Sequence, residues 1–165
     1  MSAPFRIRPY NAATDMEFVW STWIKSFQGS RAVVHVPPDV YYSEQRALIT
    51  RFFRRGLKVL VACDPESEVV IYGWGAAAAL QDILGAIVHY VYVKSDFRKG
   101  GMGKAIFAEL SADVERSLAF ADRPVRTFFT HWPPPMRREE GGAWLAERLE
   151  HEDKEKIAYN PWKAA

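Results

Sequence analysis

The segment "HYVYVKSDFRKGGMGKAIFAEL", His89 to Leu110, constrains the fold more than any other. A run of β-branched and aromatic residues passes through a short charged turn into a glycine cluster, and apolar residues then recur at helical spacing. Strand, turn and helix must therefore follow one another with almost no linker. Lys94, Arg98, Lys99 and Lys104 put four cations in or beside the turn against the single Asp96, while Gly100, Gly101 and Gly103 permit tight backbone geometry. The first amides of a helix have no intrahelical acceptor, so several can converge on one anion, and a phosphate or diphosphate suits that chemistry. A turn that only connects, with its cations in solvent, accounts for the same residues.

Two familiar nucleotide motifs do not fit. A Walker-type phosphate loop needs glycine at position 98 and Ser or Thr at 105, where Arg98 and Ala105 stand. The dinucleotide fingerprint needs a glycine where Ile106 stands. ATP hydrolysis and nicotinamide binding are therefore disfavoured.

The rest of the chain reads as a series of strands and helices. "FRIRPY" alternates as a first strand, and Thr14 with Glu17 forms a capping-box pattern before a helix whose Met16, Trp20, Trp23, Ile24 and Phe27 recur at three and four residues. A second helical region follows in "VPPDVYYSEQRALITRFFRRG", with Pro38 in its first turn, Tyr41, Leu48 and Phe52 on one face, and Gly56 as terminator. "LKVLVACD", "VVIYGWGAAAAL" and "LGAIVHYVYV" read as three successive strands, the second carrying glycines that mark a bulge or a close backbone approach. After the opening motif, Met102, Ile106, Leu110 and Val114 share a helix face broadened by Phe107 and Leu118. "PVRTFFTHW" is a further strand, Pro133 to Pro135 force an extended segment, "AWLAERLE" is a short helix and "EKIAYNPW" a terminal strand. This order predicts an α+β domain in which the three central strands form an antiparallel meander.

A chain of 165 residues, 48% apolar and 25% charged, is expected to form a single domain spanning 1–165. The formal net charge of +2, from 22 Lys and Arg against 20 Asp and Glu, gives no global attraction to polyanions. Cys63 is the only cysteine, which excludes an intrachain disulfide framework and reads as a buried, inert thiol. No apolar stretch reaches spanning length, so a soluble, cytoplasmic protein with no membrane partner is expected. Histidines at 35, 89, 131 and 151 show no metal-ligand spacing, and "HED" at 151–153 reads as a charged turn, so no metal is expected.

The opening stretch resembles the GCN5-related N-acetyltransferases. Their acetyl-coenzyme A signature, Arg or Gln, two residues, Gly, one residue, Gly or Ala, is matched by Arg98, Gly101 and Gly103, and Val91, Val93, Ser95, Asp96 and Phe97 match the preceding strand and polar turn. The element order extends the resemblance over about Phe5 to Trp162, with the detailed match at residues 88 to 110. "HYVYVK" and the terminal "YNPW" also resemble acetyltransferase-like proteins of tailed phages, which would place the protein in a host cytoplasm. The resemblance implies a mixed, mostly antiparallel central sheet with splayed middle strands and helices on both faces. It implies that acetyl-coenzyme A is the cosubstrate, its pyrophosphate held by amides of Arg98, Lys99, Gly100, Gly101, Met102, Gly103 and Lys104. Val91 and Val93 would flank the pantetheine arm through their backbones, and "VRTFFTHW" would be the strand splayed from theirs.

Acyl transfer to an amine needs an uncharged nucleophile, polarisation of the carbonyl, a route for a proton and often an acid for the thiolate. His89, which shares strand parity with Val91 and Val93, and His131, at the end of the splayed partner strand, are the candidate bases; Tyr159 is the candidate thiol acid. Tyr41, Tyr90, Tyr92 and Trp132 are candidates for the acceptor side, opposite in parity to His89 in the case of Tyr90 and Tyr92. The chain departs from the family in lacking a Glu in the strand at 85–93 and the usual Asn and Tyr around the helix after the splayed strand. The primary expectation is thus an N-acetyltransferase acting on an amine-bearing small molecule or protein. A catalytically altered coenzyme A-binding or protein-interaction module is the alternative. Nucleic-acid binding through Arg51, Arg54, Arg55 and Lys58 with Trp20, Trp23, Tyr41 and Tyr42 is a third reading, and both monomer and homodimer remain open.

Overall fold

The computed structural model describes residues 4–28, 33–80, 85–118 and 126–129. Its elements are β1 (Arg6–Pro9), α1 (Ala12–Gln28), α2 (Pro38–Arg54), β2 (Lys58–Cys63), β3 (Ile71–Leu80), β4 (Gly85–Val93), α3 (Met102–Ser117) and β5 (Arg126–Phe129). A 3-10 turn at Ser95–Phe97 lies between β4 and α3. The strands form one sheet in the order β1-β2-β3-β4-β5, antiparallel through β4 and parallel between β4 and β5. The predicted meander of β2, β3 and β4 is present. The proline run, "AWLAERLE" and "EKIAYNPW" lie outside the described residues.

Helices cover both faces of this sheet, which explains why Val59 to Cys63 in β2 are buried without alternation. On one face α3 packs Met102, Ile106, Phe107, Leu110 and Val114 against Leu60, Ala62, Ala77, Ala86 and Val88. On the other, Val19, Trp23 and Ile24 of α1 and Tyr41, Ile49 and Phe52 of α2 pack against Val59, Val61, Trp74 and Ala76. The α3 side is aliphatic and close; the α1/α2 side is aromatic. Trp23 stacks on Phe52 with ring centroids 6.2 Å apart and tilts over Trp74 at 5.2 Å, while Trp74 Nε1 donates to Thr22 Oγ1 at 2.8 Å.

Two local expectations about α1 differ from the structure. The helix begins at Ala12, ahead of the Thr14 and Glu17 pattern, because Asn11 caps it: Asn11 Oδ1 accepts from the Ala13 amide at 3.0 Å, and the Asn11 amide donates to Asp15 Oδ2 at 2.7 Å. Met16 is 51% exposed, since the buried stripe runs through Asp15, Val19 and Trp23 instead. That stripe includes a carboxylate because Arg8 of β1 meets it with two hydrogen bonds, 2.6 and 2.8 Å long, and Thr14 adds a third at 2.8 Å. The pair ties the edge strand to α1. Gly56 ends α2 as expected, at φ 84°.

The glycines of β3 set how near α3 can lie. A Cβ on Gly75 would come within 2.6 Å of both Ile106 Cγ2 and Leu110 Cδ1, and one on Gly73 within 2.6 Å of the Tyr92 carbonyl oxygen. Gly75→Ala is therefore expected to cost about 1–3 kcal/mol, read as a lowered midpoint in urea denaturation with unchanged slope. A midpoint equal to that of the unsubstituted protein would refute this account of the packing.

The Asp15 carboxyl carries a pH signature. Burial by itself would raise its pKa, but hydrogen bonds from Arg8, the Asn11 amide and Thr14, with the charge of Arg8, hold it below the usual range. A carboxyl depressed in the folded state contributes stability above its unfolded pKa, about 4, and loses that contribution as pH falls through the folded value. Stability should therefore fall below about pH 4, and Asp15→Asn should flatten this acid limb in denaturant midpoints measured against pH. Asp15→Ala, which strands the Arg8 guanidinium, is expected to cost about 3–5 kcal/mol.

Candidate functional site

The turn after β4 is built from short backbone bonds and left-handed residues. The Lys94 amide donates to the Tyr72 carbonyl at 2.8 Å, the Phe97 amide to Lys94 at 3.0 Å and the Arg98 amide to Ser95 at 3.2 Å. Lys99 and Gly101 both have left-handed backbones, at φ 74° and 77°. For lysine that conformation costs about 1–2 kcal/mol, so the chain holds local strain where the turn enters the helix. Gly101 caps α3, whose first backbone bond runs from Ala105 to the Gly101 carbonyl at 3.0 Å. The amides of Met102, Gly103 and Lys104 stand ahead of that bond, without acceptors inside the helix.

Space and charge around those amides favour an anion. No heavy atom lies within 4 Å of a Cβ placed on Gly101, and one on Gly100 would meet only the Phe97 carbonyl, at 3.8 Å. Lys94, Arg98, Lys99 and Lys104 form no ion pair among the described residues. Arg98 folds back, its Nε donating to the Val93 carbonyl at 3.0 Å, and Lys94 Nζ sits 4.9 Å above the Phe18 ring. Asp96, the one acid of the turn, accepts from Ser95 Oγ at 3.0 Å.

Beside the turn lies the backbone of β4. Gly85 to Val88 pair with β5, whereas Tyr90 to Val93 pair only with β3 among the described residues. Alternate backbone groups of this second half face the β5 side without a described strand partner. β4 carries a bulge: Ala76 pairs with Tyr90 and Ala77 with Val88, so His89 is the extra residue.

The bulge corrects the parity expected for His89. Its ring lies 4.1 Å from that of Phe52, on the α1/α2 side where Tyr90 and Tyr92 also pack, while Val91 and Val93 pack toward α3. His89 is 3% exposed. Tyr90 stacks on Trp23 at 6.3 Å and tilts over Trp74 at 5.2 Å; burial pushes its phenol pKa up, against a hydrogen bond with Ser26 that lowers it. It is a neutral hydroxyl at physiological pH, a donor rather than a base. Tyr92 meets Phe18 edge-on at 5.9 Å. Tyr41 lies in the core, its hydroxyl donating to the Ile24 carbonyl at 2.5 Å, so it is not presented to solvent.

His131, Trp132 and Tyr159 lie outside the described residues. Arg51, Arg54, Arg55 and Lys58 are exposed, but Trp23 and Tyr41 are buried, which removes two of the four aromatics from a nucleic-acid platform. Cys63 is buried, 3.6 Å from the Arg6 carbonyl oxygen. No described helix is long and apolar enough to cross a membrane, and no group of three or more potential metal ligands converges among the described residues.

No model of a known protein family matches the chain, and no curated protein is similar to it in sequence. Solved structures are similar in fold. A Pyrococcus furiosus protein designated an acetyl transferase superposes with a TM-score of 0.65 at 16% identity, over 87% of this chain and 91% of that one. A Clostridium difficile protein designated an acetyltransferase gives 0.54 at 13% identity, over 94% and 91%. The GCN5-related glucosamine N-acetyltransferase region of a fungal multi-domain β-N-acetylglucosaminidase gives 0.54 at 15% identity, over 92% of this chain and 17% of that larger one. These likenesses lend no support to the phage resemblance. The order of the described strands, the β4–turn–α3 unit and these superpositions together show that the chain has the fold of the GCN5-related N-acetyltransferases.

Proposed function

We propose that the protein is an N-acetyltransferase that uses acetyl-coenzyme A and acts on a primary amine of a small molecule or protein. The observation that carries this reading is the junction of β4 and α3. There, helix amides without intrahelical acceptors and cations with no ion pair among the described residues adjoin the backbone of β4. The residues suit a diphosphate followed by an extended amide-bearing arm: Lys99 to Lys104 would hold the phosphates, and the backbone of β4 through Val91 and Val93 would pair with the arm. Acetyl-coenzyme A, when bound, supplies the activated carbonyl.

The remaining tasks fall to side chains around the bulge and to residues outside the described part. His89 and Tyr90 adjoin each other on the α1/α2 side, so the acceptor would approach from there, with Tyr92 and Trp132 lining its path. A neutral His89 or His131 would take the amine proton, and Tyr159 would return one to the departing sulfur. An amine acceptor also agrees with the glucosamine N-acetyltransferase activity of the fungal neighbour.

Two measurements test this. Acetyl-coenzyme A at a hundred times its dissociation constant should stabilise the protein by about 2.7 kcal/mol, seen as a raised melting temperature. Gly101→Glu and Gly103→Glu, which put a carboxylate among the amides, should remove most of that rise; equal stabilisation of all three proteins would count against the cradle. In a thiol-release assay with a panel of primary amines, free coenzyme A should appear in an amine-dependent manner. Binding with no release for any amine would identify a coenzyme-binding module in place of an enzyme.

A further inference from the structure

Two strands carry bulges, and the second re-aims a tyrosine at the anion turn. Ala62 pairs with Gly73 and Cys63 with Ile71, leaving Tyr72 as the extra residue of β3, and it packs on the α3 side together with its neighbour Gly73. There the Tyr72 ring stacks on Phe97, with centroids 4.0 Å apart and planes 18° from parallel. Its hydroxyl donates to Asp64, and its carbonyl accepts the Lys94 amide at 2.8 Å. Asp64 is itself held, its Oδ1 accepting from the amides of Glu66 and Ser67 at 2.8 and 3.1 Å. The end of the β2–β3 hairpin thus contacts the turn twice, by the backbone at Lys94 and by the ring at Phe97, directly before Arg98.

We infer that Tyr72 is a positioning residue for the anion-binding turn, seating Phe97 so that the amides from Lys99 to Lys104 converge, with Asp64 orienting the phenol. Phe97 is 36% exposed, and a large aromatic left at the surface is accounted for by the ring it covers. Lys99 is held left-handed against its own preference, which requires that something outside it fix the turn, and the Tyr72–Phe97 stack lies immediately upstream. This inference rests on the coenzyme-binding reading above.

Equilibrium binding of coenzyme A to the full chain distinguishes the two. Tyr72→Leu and Phe97→Leu should each weaken coenzyme A about five- to tenfold, the size of one aromatic pair. The double variant should lose no more than either single one, because the two rings act as a unit. Tyr72→Phe, which keeps the stack, should recover most of the affinity. Phe97 lies at the surface, so its variant tests the inference even where Tyr72→Leu fails to fold. If the unsubstituted protein binds no coenzyme A, the acyltransferase reading falls and this inference with it. If it binds while Phe97→Leu binds equally well, or if the two losses add, the inference falls alone and the coenzyme site stands.

Discussion

The close seating of α3 on glycine is the contact on which the rest depends. Gly75 gives up its side-chain volume to Ile106 and Leu110, and Gly73 lets the β4 backbone pass where a Cβ would strike the Tyr92 carbonyl. Residues 94 to 101 connect the end of β4 to the first residue of α3. The 3-10 turn, the left-handed Lys99 and the left-handed Gly101 lie in this connection. The amides of Met102, Gly103 and Lys104 are aligned at that helix end by the helix geometry itself.

Charge is handled in opposite ways at the two ends of the fold. At the β1–α1 junction a carboxylate is fully buried, yet every acceptor lobe near it is met by Arg8, the Asn11 amide or Thr14, so the pair is structural. At the β4–α3 junction four cations stand with no described counter-ion and much of their surface in water. Water screens their mutual repulsion, which makes the arrangement tolerable.

Much of the fold was legible locally. Runs of β-branched and aromatic residues located the central strands, period-3.6 patterns located the three described helices, and the core face of α3 emerged from Met102, Ile106, Leu110 and Val114. The glycine cluster announced the tight turn into α3, since few other residues adopt φ near 77° at a helix cap. The start of α1 was misplaced because two overlapping cap patterns compete there, and the buried Arg8–Asp15 pair selected the earlier one.

What the chain could not declare by itself is the direction in which His89 and Tyr72 look. Alternation along a strand is a local rule, but a bulge arises from how two strands pair, and one extra residue reverses the parity of everything on one side of it. His89 consequently joins the aromatic α1/α2 side and Tyr72 reaches Phe97. Local sequence thus decides which residues form the strand, the turn and the helix, because those depend on spacing and backbone freedom. Tertiary pairing decides which side chains serve them, because partner strands set the register.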